Sequence, residues 1–121
     1  VKDTVAIKET EELVNNFMKL SKDERYHVGF SALYCYESMI PEIAENKIDG
    51  LKKYYGAKNG EDTLKFFEVH QSADIIHRQV IKDLIGDVCD TDEKKEEALE
   101  AIELALSSLN NFLSGMERVY C

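Results

Sequence analysis

The chain of 121 residues has the length of one domain or part of one, and its 44% hydrophobic content is enough for a core. Its formal charge of −9 argues against nucleic acid and anionic membranes as partners, because both attract basic surfaces. No apolar run approaches the roughly 18 residues of a membrane span, and no signal peptide is visible. We therefore expect neither nucleic-acid binding nor membrane insertion.

The three cysteines are odd in number and lack CxxC spacing, so they do not predict a disulfide or zinc framework. Because Cys35 falls inside a predicted helix, we interpret Cys35, Cys89 and Cys121 as reduced thiols, which are typical of cytoplasmic proteins. We therefore expect a cytoplasmic location. The chain begins with valine rather than methionine, and we expect that an upstream portion has been removed.

Hydrophobic periodicity predicts an all-α helical bundle. The predicted helical segments are residues 10–22, 24–55, 63–85 and 92–118. Pro41 should kink the second segment, and a polar, glycine-containing turn at 57–62 should follow it. Thr91, or Asp90 together with Glu93, is expected to cap the last helix.

The third segment carries ionisable side chains where apolar ones are expected. At about 100° per residue, Asp74 falls about 40° and His77 about 20° from His70. Six apolar residues lie within roughly 60° of His70 on the same projection. They are Phe66, Phe67, Ala73, Ile81, Leu84 and Ile85. Because an ionised carboxylate is costly to bury alone, this pattern calls for a partner or a metal ion.

The second segment repeats this anomaly with a single acid. Glu37 lies on the apolar face of residues 24–46, with Phe30, Leu33 and Ala44 on the same side. The terminal segment is different, since its apolar stripe contains no ionisable residue. Only two helices of this chain are therefore expected to bury acids or histidines.

The spacing H-x3-D-x2-H places two imidazoles and a carboxylate on one helix face, which is ligand chemistry suited to non-haem iron. Glu37 from a neighbouring helix would complete the kind of carboxylate site that helical bundles assemble. The alternative is that His70 and His77 are satisfied core residues with Asp74 as their ion-pair partner. We favour a metal site, because four such residues are centred on apolar faces.

Two stretches of the chain resemble the haem-oxygenase-like diiron family. They are ALYCYESMIPEIAENKIDGLKKYYG and FFEVHQSADIIHRQV, with the motifs Y-x-Y-E-x3-P and F-F-x-x-H-x3-D-x2-H. The most similar branch is that of the Chlamydia protein associating with death domains, and TenA and PqqC are more distant fold relatives. The resemblance implies that Glu37, His70, Asp74 and His77 bind a dinuclear iron or iron/manganese centre.

The resemblance also implies an activity. It indicates an O2-dependent oxidoreductase of p-aminobenzoate, and hence folate, synthesis on a haem-oxygenase-like all-α fold. Lys47, ten residues after Glu37, occupies the place of a catalytic lysine that is a candidate amine donor. The alternatives are another small-molecule diiron oxidase on the same fold, and a non-enzymatic interaction protein with a death-domain-type partner.

The resemblance covers roughly residues 11–116 and implies that a part of the family fold lies elsewhere. In the family, the first part supplies another glutamate and histidine ligand and a tyrosine that is consumed. We therefore expect residues 1–121 to form a single C-terminal portion of the domain. Its exposed apolar faces should lead to a homodimer or to association with the missing N-terminal half, through Leu33, Phe67 and Ile81.

Overall fold

A computed structural model describes residues 5–121, which form five helices and, over that range, no strand. The helices are α1 (Lys8–Ser21), α2 (Tyr26–Glu37), α3 (Ile40–Tyr55), α4 (Asp62–Val88) and α5 (Asp92–Tyr120). The predicted all-α class is confirmed. None of these helices combines the length and the apolar character that crossing a membrane requires.

The second predicted segment is two helices, so the prediction of one helix kinked at Pro41 is wrong. α2 ends at Glu37, Ser38 and Met39 lie between the helices, and α3 begins at Ile40. Pro41 lies in the first turn of α3, where its missing N–H leaves no hydrogen bond unmade. In a continuous helix its ring would collide with the carbonyl of Glu37. The break makes Glu37 the last residue of α2.

Helix α2 is the centre of the bundle, because it contacts each of the other four helices. With α1 and α5 it forms the main apolar core, whose buried members are Leu20, Val28, Ala32, Cys35, Ala101 and Ala105. On its other side α2 packs against α4, which also packs along α3. Ile81 is buried within the chain, so its assignment to an association surface is wrong, whereas Leu33 is exposed.

Two helix ends follow from local sequence. Gly56 ends α3 in the left-handed conformation, with φ of 71°, and the Ala57 N–H donates to the Leu51 carbonyl at 3.2 Å. At the start of α5 the Thr91 hydroxyl accepts a hydrogen bond from the Lys94 N–H at 3.3 Å. Thr91 is thus confirmed as the cap of the last helix.

Helix α1 packs along α5 through a close and partly polar contact. Asn16 Nδ2 donates to Ser108 Oγ at 2.8 Å, and Arg118 forms an ion pair with Glu9. Between these pairs the helices approach so closely that a Cβ on Gly115 would lie 2.9–3.0 Å from the side chain of Glu9. The close packing of α1 on α5 therefore favours glycine at position 115, where a side chain would collide with Glu9.

Gly115→Ala should lower the melting temperature, because the added methyl group has no room beside Glu9. Gly50→Ala and Gly86→Ala are matched controls, since a Cβ at either position meets no atom within 4 Å. Alanine's helix propensity should stabilise each control by about 0.5–1 kcal/mol. Thermal unfolding followed by circular dichroism measures all three, and equal stabilisation by all three would contradict the close approach.

A polar cluster ties the start of α2 to α5. The Nε2 atom of buried His27 lies 2.5 Å from Glu97 Oε2, and Arg25 bridges Glu97 and Asp23. The contact with His27 first, and that with Arg25 second, hold the pKa of Glu97 below its usual range. The ionised Glu97 therefore stabilises the folded state.

Replacing Glu97 should make the stability of the fold change less with pH in the acidic range. A carboxyl whose pKa is lowered by folding stabilises the fold above its unfolded pKa, and this contribution is lost as the pH falls through the folded value. The difference in melting temperature between the wild type and Glu97→Gln should thus be largest near neutral pH and shrink in acid. Glu100→Gln, which removes an exposed acid from the same helix, is the control for the loss of one charge. A difference that is constant from neutral to acidic pH would contradict the role of Glu97.

Candidate metal centre

Three of the four predicted ligands meet between α2 and α4. Glu37 ends α2, while Asp74 and His77 lie one turn apart on α4. One ligand atom from each lies within 4.8 Å of the others. His77 Nδ1 is 3.0 Å from Asp74 Oδ1 and 3.7 Å from Glu37 Oε2. The fold thus gathers two carboxylates and an imidazole from two helices around one point.

The site is buried at its acids and open at its imidazole. The side chain of Asp74 is 5% exposed, that of Glu37 20% and that of His77 54%. α2 and α3 cover the side of α4 that carries Leu64, Asp74 and Ile81, so the buried stripe is centred on Asp74. The prediction that the histidines lie in the middle of that stripe is therefore wrong.

The carboxylate of Glu37 is not satisfied by the described residues. Its Oε2 is buried and has no hydrogen-bond partner among residues 5–121. It also lies at the C-terminal end of α2, where the helix dipole disfavours negative charge, and no basic residue lies in the last turn. The alternative interpretation, in which Asp74 pairs with the histidines and no metal is bound, does not explain why this oxygen is buried without a hydrogen bond. A bound cation would supply the missing charge, so the donor set fits a metal ion.

His70 is the predicted ligand that does not join this cluster. Its Nδ1 lies 2.7 Å from the Phe66 carbonyl, and its ring stacks on that of Phe66 with 4.1 Å between centroids. Because a carbonyl oxygen only accepts, Nδ1 donates this hydrogen bond, and in the neutral imidazole the lone pair is then on Nε2. Metal-bound histidines commonly donate their other ring N–H to a backbone carbonyl. His70 therefore has the tautomer of a ligand, and its assignment stays a prediction.

Lys47 lies exposed on α3 and outside the cluster. Its position one turn after Ala44 places it near the surface that α3 buries against α4, but its ammonium is open to solvent. Its catalytic role therefore stays a prediction.

Arg78, which the sequence pattern does not single out, lies beside the site. Arg78 Nη1 lies 3.4 Å from the Ser38 carbonyl and 3.2 Å from Glu42 Oε1. Ser38 directly follows Glu37, and Arg78 directly follows His77. By periodicity Arg78 resembles any solvated residue of α4, and its adjacency to a predicted ligand is the only signal that the sequence contains.

An apolar groove of about 700 Å³ lies where α1, α2 and α5 meet. Its walls come from α1, α2 and α5 and include Phe17, Leu33 and Tyr36, of which Leu33 and Tyr36 are exposed. None of the four predicted ligands lines it. The groove is therefore a surface separate from the metal cluster.

Comparison with known proteins identifies the family that the chain matches and shows how much of its relatives' length the chain spans. The model of a family described as iron-containing redox enzymes matches residues 1–109. A 4-aminobenzoate synthase of Nitrosomonas europaea is 44% identical over 116 residues, which are 96% of this chain and 47% of that protein. The protein of the same name from Chlamydia trachomatis is 41% identical over 84% of this chain and 43% of its own length. The chain spans about half the length of these relatives.

Glu37→Gln should stabilise the metal-free protein while removing its response to metal. The amide carries no charge against the end of α2, and an unsatisfied buried group of this kind costs about 1–3 kcal/mol. With a chelator present, the melting temperature of Glu37→Gln should be higher than that of the wild type. Added Fe(II) or Mn(II) should no longer raise the melting temperature of this variant. His77→Ala should likewise lose the response to metal. Metal responses equal to that of the wild type in both variants would end the hypothesis of a metal site.

Proposed function

The chain belongs to the family of iron-containing redox enzymes, and from this membership we propose that it is the metal-bearing part of an O2-dependent enzyme that forms 4-aminobenzoate. The observation that carries the proposal is the buried Oε2 of Glu37, which has no hydrogen-bond partner among the described residues and lies in one cluster with Asp74 and His77. The names of the relatives support the product, and the family description supports iron.

Glu37, Asp74, His77 and His70 are the residues that would hold the metal. The bound iron would supply the activation of O2. The two carboxylates would balance its charge, and the hydrogen bond from His70 to the Phe66 carbonyl would keep Nε2 available as a donor.

We further propose a dinuclear centre of two irons or of iron and manganese. Four donor residues, of which three are gathered between α2 and α4, are few for two ions, so further ligands would come from another chain segment. The relatives' greater length supports such a segment, which would correspond to an N-terminal half, and a second copy of this chain is the other source. Lys47 is proposed as an amine donor on the resemblance alone.

Exposed apolar side chains on α4 support this association. Phe66, Val69, Ile76 and Val80 are each more than half exposed. Several exposed apolar side chains on one helix are typical of an interaction surface in soluble proteins. The three free thiols fit the reducing cytoplasm, which is the compartment that we propose.

A chimaera provides the test of this function. This chain would replace the matched segment of the Nitrosomonas europaea relative, so that the remaining half of that protein supplies the rest of the fold. We expect the chimaera to retain iron by elemental analysis and to form 4-aminobenzoate, detected by mass spectrometry, when O2 and a reductant are present. Glu37→Gln and His77→Ala should abolish both properties, because each removes a donor from the cluster.

The matched control is Glu100→Gln, an exposed acid on α5, which should leave iron content and product unchanged. Lys47→Ala should retain iron and lose product. A folded chimaera that retains iron but forms no 4-aminobenzoate would overturn the proposed product and favour another oxidase on this fold. A folded chimaera that retains no iron would overturn the metal assignment.

A further inference from the structure

The turn that follows Glu37 is hydrogen-bonded to α2, since the Ser38 N–H donates to the Tyr34 carbonyl at 2.9 Å and the Ser38 hydroxyl to the Cys35 carbonyl at 3.2 Å. Glu37 is the last residue of α2, and Ser38 and Met39 separate it from α3. These hydrogen bonds fix the turn relative to α2, but they do not fix it relative to α4, which carries Asp74 and His77. The cluster therefore needs a contact that fastens the break between α2 and α3 to α4.

Arg78 makes this contact. It follows His77 on α4, and its Nη1 atom lies 3.4 Å from the Ser38 carbonyl and 3.2 Å from Glu42 Oε1. Ser38 belongs to the end of α2, and Glu42 to the first turn of α3. One guanidinium thus joins three helices at the point where the chain between two of them is interrupted.

The electrostatics favour a cation at this position. The carbonyls at the end of α2 carry the negative pole of the helix dipole, and the last turn of α2 contains no basic residue. Arg78 supplies that positive charge from another helix. Within residues 5–121 its hydrogen bonds go to Ser38 and Glu42, so Arg78 itself occupies neither the Glu37 nor the Asp74 carboxylate.

We propose that Arg78 is a positioning residue that holds Glu37 opposite Asp74 and His77 by fastening the α2–α3 break to α4. The proposal rests on the metal site proposed above. A purely stabilising role is a poor explanation of the contact, because the side chains of Arg78 and Glu42 are 36% and 64% exposed and such surface pairs contribute little to stability.

The test measures Mn(II) affinity, by electron paramagnetic resonance of the free ion, together with the melting temperature in chelator. Arg78→Gln should weaken Mn(II) binding about tenfold or more, as is typical when a residue that orients a ligand is removed. Arg78→Lys, which keeps the charge, should restore part of the affinity. Glu42→Gln should weaken binding less, because the Ser38 contact remains.

Arg118→Gln is the matched control, since it removes an arginine that pairs with Glu9 between α1 and α5, away from the cluster. It should leave Mn(II) affinity unchanged while changing the melting temperature about as much as Arg78→Gln does.

Wild-type affinity in Arg78→Gln, together with loss of binding in His77→Ala, would overturn the role of Arg78 and leave the metal site standing. Equal loss of affinity in Arg118→Gln would also overturn it, since the effect would then be general. Absence of Mn(II) binding by the wild type would overturn both proposals. If Arg78→Gln fails to fold, Arg78→Lys and Glu42→Gln decide, and wild-type affinity in both would overturn the proposal.

Discussion

The structure depends on one electrostatic conflict, which is the burial of the Glu37 carboxylate at the negative end of α2. The helix dipole, the partial burial and the nearby Asp74 each disfavour a second negative charge there. In the described residues one oxygen of Glu37 has no hydrogen-bond partner. A sequence selected for stability alone would avoid this arrangement, so the conflict is best explained by a function that requires a cation.

The fold keeps this conflict apart from its main source of stability. The apolar core joins α1, α2 and α5, where small residues such as Ala101 and Ala105 allow close packing. The carboxylates lie on the other side of α2, against α4. Because α2 belongs to both regions, a change in its position affects the site as well as the core. The break after Glu37 allows α3 to pack on α4 without continuing the axis of α2.

The cluster of Glu37, Asp74 and His77 is more open than the proposed O2-activating centre would require, since such sites exclude water. His77 is half exposed, and apolar side chains such as Phe66 and Ile76 of α4 face solvent. The chain also spans about half the length of its relatives. These observations agree with the proposal that another segment covers this face, and they explain why the described residues form only part of a site.

The sequence by itself determined the helical class and pointed to the three residues that meet between α2 and α4, together with His70, which does not join them, because periodicity and ligand chemistry are local properties of the chain. The structure decided that Thr91, rather than Asp90 with Glu93, caps α5. Only the tertiary structure decided that α2 ends at Glu37 and that Asp74, rather than a histidine, lies at the centre of the buried face. It also decided the position of Arg78. The physical reason is that helical projection gives directions around one axis, whereas burial and contacts depend on which neighbouring helices pack against it.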